Sequence, residues 1–527
     1  MPKAKTTYLV DLILSMNRSE KRNFKLFANK TGKDSKIYIL LFDHINKHGV
    51  YEEVKILKEI PQVKKSQLSN IKANLYKQVL RSMRDYNKET YAEIKAREKF
   101  DFAKVLYSKG HYTASLNMLN EVKKIATRIQ KKPLLYLAIH FEKQIESQHV
   151  TGSMARRASQ LADQSENIIH DLTLSNKLSN LALTLYGIYL QRGLAKSQED
   201  IDFLQSHMDE NMEFLKESDE MDFYQRLHLY QSYVWYYHML QDFGNYHGYA
   251  TLWVNLFSDY PDMLKPETTT YIKGLHNVLN ALFISGKMKQ FDIALDQLMD
   301  FQSDHQLSLS RNEESQLALV SYTHGINQIF LNTHYTEGVP FVEELTQLLE
   351  DDNYPWDLNR RLVFYYKIAC VYYGANELNK CIYYLNKITN HHYPDFKEDI
   401  QCFARILNLI AHYDLGNDRL VSYQVRSVYR YLSKMKEMQA VQREVFKFVR
   451  RTPSMLKAEV KQEFVALKSR LLVLRRDKIE RRPFVYLDII SYLDSKIKEI
   501  PMVDAIRLRR GIDMKKTKSK IKSKTKP

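Results

Sequence analysis

The chain is poor in the residues that interrupt helices. It has 15 glycines and 12 prolines in 527 residues, well below average usage of about 7% and 5%. Sheets built from many short strands need frequent Gly and Pro turns, so this scarcity favours long helices instead. No stretch alternates apolar and polar residues with period two, and no sheet is expected. Cysteine is equally scarce. Cys370, Cys381 and Cys402 are the only three, an odd number without a C-x-x-C pair. That argues against a disulfide framework and predicts a reducing, cytoplasmic setting. No window of about 18 apolar residues occurs, so no membrane-spanning helix is expected. The opening segment "MPKAKTTYLVDLILSMNRSEKRNF" has an apolar patch broken by Asp11 and no small-residue cleavage site. A secretory leader is not expected there.

Motifs for chemistry are also missing. The chain contains no G-x-G-x-x-G, no Walker-type phosphate loop, no H-E-x-x-H and no G-x-S-x-G. His391 and His392, near Cys381, are the nearest approach to a ligand cluster. Adjacent histidines on a helix point about 100° apart, so a loop or helix-end pair is the reading. "PDFKED" at Pro394 and the E-x-K of Glu459-Val460-Lys461 have nuclease-like carboxylate spacings, but in helical context without the strand such sites use. Trp235, Trp253 and Trp356 sit among apolar helical neighbours and read as core. No catalytic residue, cofactor or metal is assigned, and the chain reads as non-enzymatic.

What the sequence does have is charge, and it is unevenly placed. The net charge is +17. Residues 1–100 carry 22 basic and 11 acidic side chains, residues 101–425 carry 28 and 40, and residues 426–527 carry 29 and 11. An acidic middle thus lies between two basic ends. Such asymmetry suits contact with an anionic partner at the ends, or association of the ends of one copy with the middle of another. The C-terminal region concentrates its basic residues in Arg470, Arg475, Arg476, Lys478, Arg481 and Arg482, a candidate anionic-partner patch. The tail "MKKTKSKIKSKTKP" has seven lysines and almost nothing apolar, so disorder is expected.

The body of the chain, 44% apolar and 12% aromatic, is patterned for helices. In "YYKIACVYYGANELNKCIYYLNKI", Tyr365, Ile368, Ala369 and Tyr372 form one helical stripe. After Gly374-Ala375-Asn376 a second stripe follows: Leu378, Cys381, Ile382, Leu385 and Ile388. This predicts two amphipathic helices joined by a tight turn, a pair that cannot bury all its apolar surface alone. "SRNE" at Ser310 and "SQED" at Ser197 have N-terminal capping patterns, and Pro266 and Pro453 suit first turns of helices. Turn-like breaks fall near Gly110, Gly152, Gly193, Gly244, Gly286, Thr333, Gly374 and Gly416, at intervals of 41 to 51 residues and mostly near 42.

The helix pair resembles a tetratricopeptide repeat (TPR). Ala369 falls at the family's small-residue position and Tyr372 at its Tyr, with Leu378 at the usual aromatic of the second helix and Cys381 at its usual Ala. "FAKVLYSKGHYTASLNMLNEV" from Phe102 is similar through Ala103, Gly110, Tyr112 and Ser115, and "MKQFDIALDQL" from Met288 through Phe291 and Ala294. The resemblance covers about three units; in the stretch from Tyr365 the repeat's Trp, Gly and closing Pro are all replaced or displaced. The period exceeds the TPR length of about 34 residues and approaches the 40–47 of other helical repeats. The expected architecture is all-α: an α-solenoid of stacked antiparallel TPR-like hairpins with a period of about 42. Its divisions are a basic N-terminal helical domain (1–90), the repeat array (91–432), a basic helical region (433–513) and a disordered tail (514–527).

The resemblance implies a scaffold that binds a protein or peptide segment on a concave face lined by the first helix of each pair. It places Tyr366, Cys370 and Tyr373 on that face as partner contacts. The alternative is a nucleic-acid-associated regulator whose basic ends neutralise phosphates, with binding that weakens steeply in salt. Residues 1–90 carry no recognition-helix signature.

Overall fold

The computed structural model describes residues 2–511 apart from short stretches at 31–34, 89–90, 149–153, 214–220, 305–308, 352–353, 391–397, 434–439, 452–456, 478–479, 481–483 and 485–486. The break at Gly152, Pro453, the pair His391 and His392, the "PDFKED" start at Pro394, the patch residues Lys478, Arg481 and Arg482, and the tail 514–527 lie outside the described residues. Among the described residues every regular element is a helix and no strand occurs.

The chain divides into two compact units. The first comprises residues 1–176 with 222–224 and 260–266; the second comprises 177–221, 225–259 and 267–527. The first unit begins with α1 (Pro2–Ser15), α2 (Arg18–Lys30), α3 (Ser35–His48), α4 (Glu53–Glu59) and α5 (Leu68–Asn87). Their apolar stripes meet in one cluster that includes Leu9, Ile13, Phe24, Phe42, Ile45 and Ile56. The Phe24 and Phe42 rings stand 4.5 Å apart at its centre. Asn17 fixes the start of α2: its Oδ1 accepts from the Glu20 amide while Glu20 accepts from the Asn17 amide, a reciprocal cap. Next come α6 (Ala92–Ser108), α7 (Tyr112–Arg128), α8 (Lys132–Gln148) and α9 (Met154–Arg192), within which the unit boundary falls. The hairpin α6–α7 closes tightly because its crossing residues, Ala103 and Ser115, are both small and fully buried. Ser115 donates its hydroxyl to the Ala103 carbonyl at 2.8 Å.

In the second unit, the remainder of α9 leads to α10 (Gln198–Met212), α11 (Phe223–Met239, its first two residues counted with the first unit), α12 (Phe243–Asp259), α13 (Thr268–Ile284), α14 (Met288–Asp304), α15 (Arg311–Asn332), α16 (Val339–Glu350), α17 (Leu358–Gly374), α18 (Leu378–Thr389), α19 (Glu398–Asp414), α20 (Asp418–Leu432), α21 (Ala440–Arg451), α22 (Lys457–Arg476), α23 (Ile489–Lys498) and α24 (Met502–Arg510). Packing runs from neighbour to neighbour. The helices α13, α15, α17 and α19 each touch the next, while α14 and α16 pack on the following α15 and α17, and α18 on α19. One apolar cluster runs from Ile326 on α15 to Ile506 on α24.

Local signals account for the helix ends. Ser310 caps α15 with the expected reciprocal box to Glu313, and the Ser197 hydroxyl accepts from the Asp200 amide at the start of α10. Pro266 lies two residues before α13 rather than in its first turn. The turn expected at Gly244 is at Gln241, which takes φ 57°, because Gly244 is already inside α12. In the turn after α17 it is Asn376, φ 63°, that takes the left-handed conformation. Gly374 is needed there for a different reason: a Cβ on it would stand 2.2 Å from the Tyr335 ring.

The last helix closes back on the second unit. α15 ends at Thr333 in the left-handed conformation, leaving carbonyls without intrahelical donors. Arginines of α24 supply donors. Arg507 donates to the Thr333 hydroxyl at 3.0 Å and to its carbonyl at 3.3 Å. Arg510 reaches the Phe330 and Leu331 carbonyls at 2.8 and 2.9 Å. Cations at a helix C-terminus are also favoured by the helix dipole. Arg507→Ala removes two charge-assisted bonds, and a loss of about 1–3 kcal/mol is expected; urea unfolding of the full chain checks it.

Candidate functional site

The structure places the three sequence-selected partner contacts inside the molecule or at its edge, not on an open face. Tyr366 and Tyr373 are buried at 4% and 9% exposure, and Cys370 is half-buried. The expectation that they line a free surface is corrected: α15 covers one side of α17 and α19 the other, so the side opposite the packing stripe is also used. Tyr373 donates its hydroxyl to Asp414 Oδ2 on α19 at 2.7 Å. Tyr366 and Cys370 are hydrogen-bonded to each other. Burial pushes the Cys370 thiol up to about 12 and the Cys381 thiol well above its ordinary value. Neither thiol ionises near neutrality, which removes the thiolate that cysteine nucleophiles and metal ligands need.

The basic patch is partly neutralised by its own helix neighbours. Arg470 pairs with Glu444 at 2.8 Å and Glu463 at 3.5 Å. Lys468, on the same helix, meets Asp494 at 2.6 Å. Arg475 and Arg476, in the last turn of α22, are exposed and make no ion pair among the described residues. Glu459 and Lys461 are exposed on α22, with Lys461 bonded to Glu499. Trp253 and Trp356 are buried, and Trp356 donates its indole N–H to Ser315. Trp235 is half-buried between Tyr186 and Tyr189.

Sequence reading missed a polar chain that links α13, α15 and α17. Lys367 of α17 donates its Nζ to Asn327 Oδ1 at 2.5 Å and to the Thr323 carbonyl at 3.2 Å on α15. With Oδ1 accepting from lysine, the Asn327 amide nitrogen faces His324 Nδ1, 3.2 Å away. His324 Nε2 then meets His276 Nδ1 of α13 at 2.9 Å. These contacts fix one direction for the protons. Asn327 donates to His324 Nδ1, so neutral His324 carries its proton on Nε2 and donates to His276. Burial keeps both imidazoles neutral, drawing His276 down to about 4 and His324 well below its ordinary value. Burial likewise draws the Lys367 ammonium down to about 7. Its hydrogen-bond partners among the described residues are neutral, so no carboxylate offsets the loss of water. The available signal was a single lysine inside the apolar run "VFYYKIAC".

A second feature is a group of half-buried tyrosines on α11 and α12. Tyr249 stacks on Tyr233 at 4.3 Å and on Tyr237 at 5.5 Å, with interplanar angles of 18° and 14°. Burial raises the phenol pKa of all three, so they stay neutral donors at physiological pH. Stacked, partly open aromatic faces held by their neighbours suit recognition, since little side-chain freedom is left to lose.

Compared with protein-family models, curated proteins and solved structures, the chain matches none.

The polar chain predicts a pH dependence. Unfolded Lys367 stays charged to about 10.4, whereas the folded protein releases that proton near 7. The unfolded state therefore binds more protons between these values, and stability rises with pH across them. Below the folded value the penalty for the buried charge is fully present. Lys367→Met keeps the stem and removes the titration. Melting temperatures from about pH 6 to 10 should rise less steeply in the variant than in the parent. The histidines act at lower pH: with His276 depressed to about 4, their stabilisation is lost as pH falls from about 6.5 towards 4.

Proposed function

We propose that the chain is a non-enzymatic scaffold of stacked TPR-like hairpins, arranged as an α-solenoid, that binds a segment of a partner protein. The observation that carries this reading is the succession of hairpins, each closed by a left-handed residue. Gly193, Gln241, Gly286, Thr333, Asn376 and Gly416 all take positive φ, at intervals of 40 to 48 residues. Further support comes from the side-by-side row α13, α15, α17 and α19, since first helices of successive units line one face in such arrays. The small residues also agree with it: Ala103, Ser115, Ala369 and Cys381 are all fully buried.

Because Tyr366 and Tyr373 are buried, the partner contact passes to the open tyrosines Tyr233, Tyr237 and Tyr249. An acidic middle region favours a partner segment bearing lysine or arginine. The test is affinity capture with the full-length chain from native extract, with and without nuclease. A partner that persists after nuclease and is lost with Tyr233→Ala/Tyr237→Ala/Tyr249→Ala is the expected result. Capture that disappears with nuclease would replace this reading with the second, a nucleic-acid-associated regulator. The exposed pair Arg475 and Arg476 favours that second reading.

A further inference from the structure

The N-terminal unit holds a group of side chains that the scaffold reading does not use. His44 and His48 are four residues apart on α3, so both imidazoles lie on one side of the helix. Glu59 is the last residue of α4. His44 Nδ1 stands 2.8 Å from Glu59 Oε2, and His48 Nε2 stands 3.3 Å from the same oxygen. One ligand atom from each of the three residues falls within 4.8 Å of the others. The imidazole rings are 4.6 Å apart.

We propose that His44, His48 and Glu59 form a binding site for a divalent transition metal, with Zn²⁺ as the best fit, that clips α3 to α4. Two imidazoles and one carboxylate are a donor set of the zinc type, and three protein ligands leave a fourth position for water or another ligand. Zinc bonds of about 2.0–2.1 Å in a tetrahedron set ligand atoms roughly 3.3 Å apart; the His48–Glu59 separation of 3.3 Å matches this, and the His44–Glu59 separation of 2.8 Å is shorter. A metal ion would replace the proton shared between these atoms, with the exposed Glu59 side chain turning to meet it.

The surroundings favour a cation. His48 ends α3 and Glu59 ends α4, and carbonyl-bearing helix ends attract positive charge. His44 Nε2 is sealed from solvent without a hydrogen-bond partner, and His48 Nε2, likewise sealed, faces Glu59 Oε2 at 3.3 Å. The scaffold of the site is rigid: Leu41, Phe42 and Ile45 of α3 and Ile56 of α4 are fully or almost fully buried around it.

The experiment is titration of the full-length, chelator-treated protein with Zn²⁺ by calorimetry, and with Co²⁺ by visible absorption. The expected result is a Zn²⁺ site that His48→Ala and Glu59→Gln each weaken by more than about tenfold, with a tetrahedral Co²⁺ spectrum in the parent chain only. Both substituted side chains are partly exposed, so the variants should fold; circular dichroism checks this. His111→Ala, on an unrelated turn, should leave binding unchanged. No Zn²⁺ binding by the parent chain, or binding that both variants retain, would overturn the proposal.

Discussion

Helix pairs in the second unit have more apolar surface than they cover by themselves, and their packing on neighbours follows from that constraint. Helix α17 makes the point. It meets α18 in its own hairpin, α15 and α16 before it and α19 after it, and Leu362, Phe364, Ile368, Ala369 and Val371 are all buried. A lone amphipathic helix buries one stripe, but α17 is apolar or aromatic on nearly every side. Such a helix is stable only between neighbours, so removing one pair exposes the next.

The same constraint decides what polar groups do in the interior. A lysine between packed helices must find acceptors, and Lys367 finds an amide oxygen and a backbone carbonyl. The bonds continue through Asn327 and His324 to His276, tying three non-consecutive helices together. Each group has a partner only when the helices are in one register, so a one-turn slip would strand several of them. The chain therefore specifies alignment as much as it adds stability. Tyr373 with Asp414 joins α17 to α19 in the same way.

Charge is similarly absorbed into the fold. The basic character of the C-terminal region suggests an anionic partner, yet much of it has internal work. Arg507 and Arg510 saturate the carbonyls at the end of α15, Arg509 pairs with Asp488, and Arg470 bridges to α21 and along α22. Among the described residues, Arg475 and Arg476 of α22 make no ion pair. Net charge counts side chains, whereas direct contact with an anion needs a guanidinium or ammonium whose donors are not already held by the fold.

The sequence alone determined the all-helical class, a hairpin within residues 365–388 and the capping box at Ser310. These depend on local chemistry: few Gly and Pro, period-3.6 stripes, and a serine three residues before a glutamate. It could not reveal that the far side of α17 is covered, because periodicity describes one helix and not how many neighbours enclose it. Nor could it join Lys367 to His324 and His276, or Glu59 to His44 and His48. Side chains 11 to 91 positions apart become partners only through helix crossings, and those are settled by the packing of apolar surfaces rather than by the order of residues.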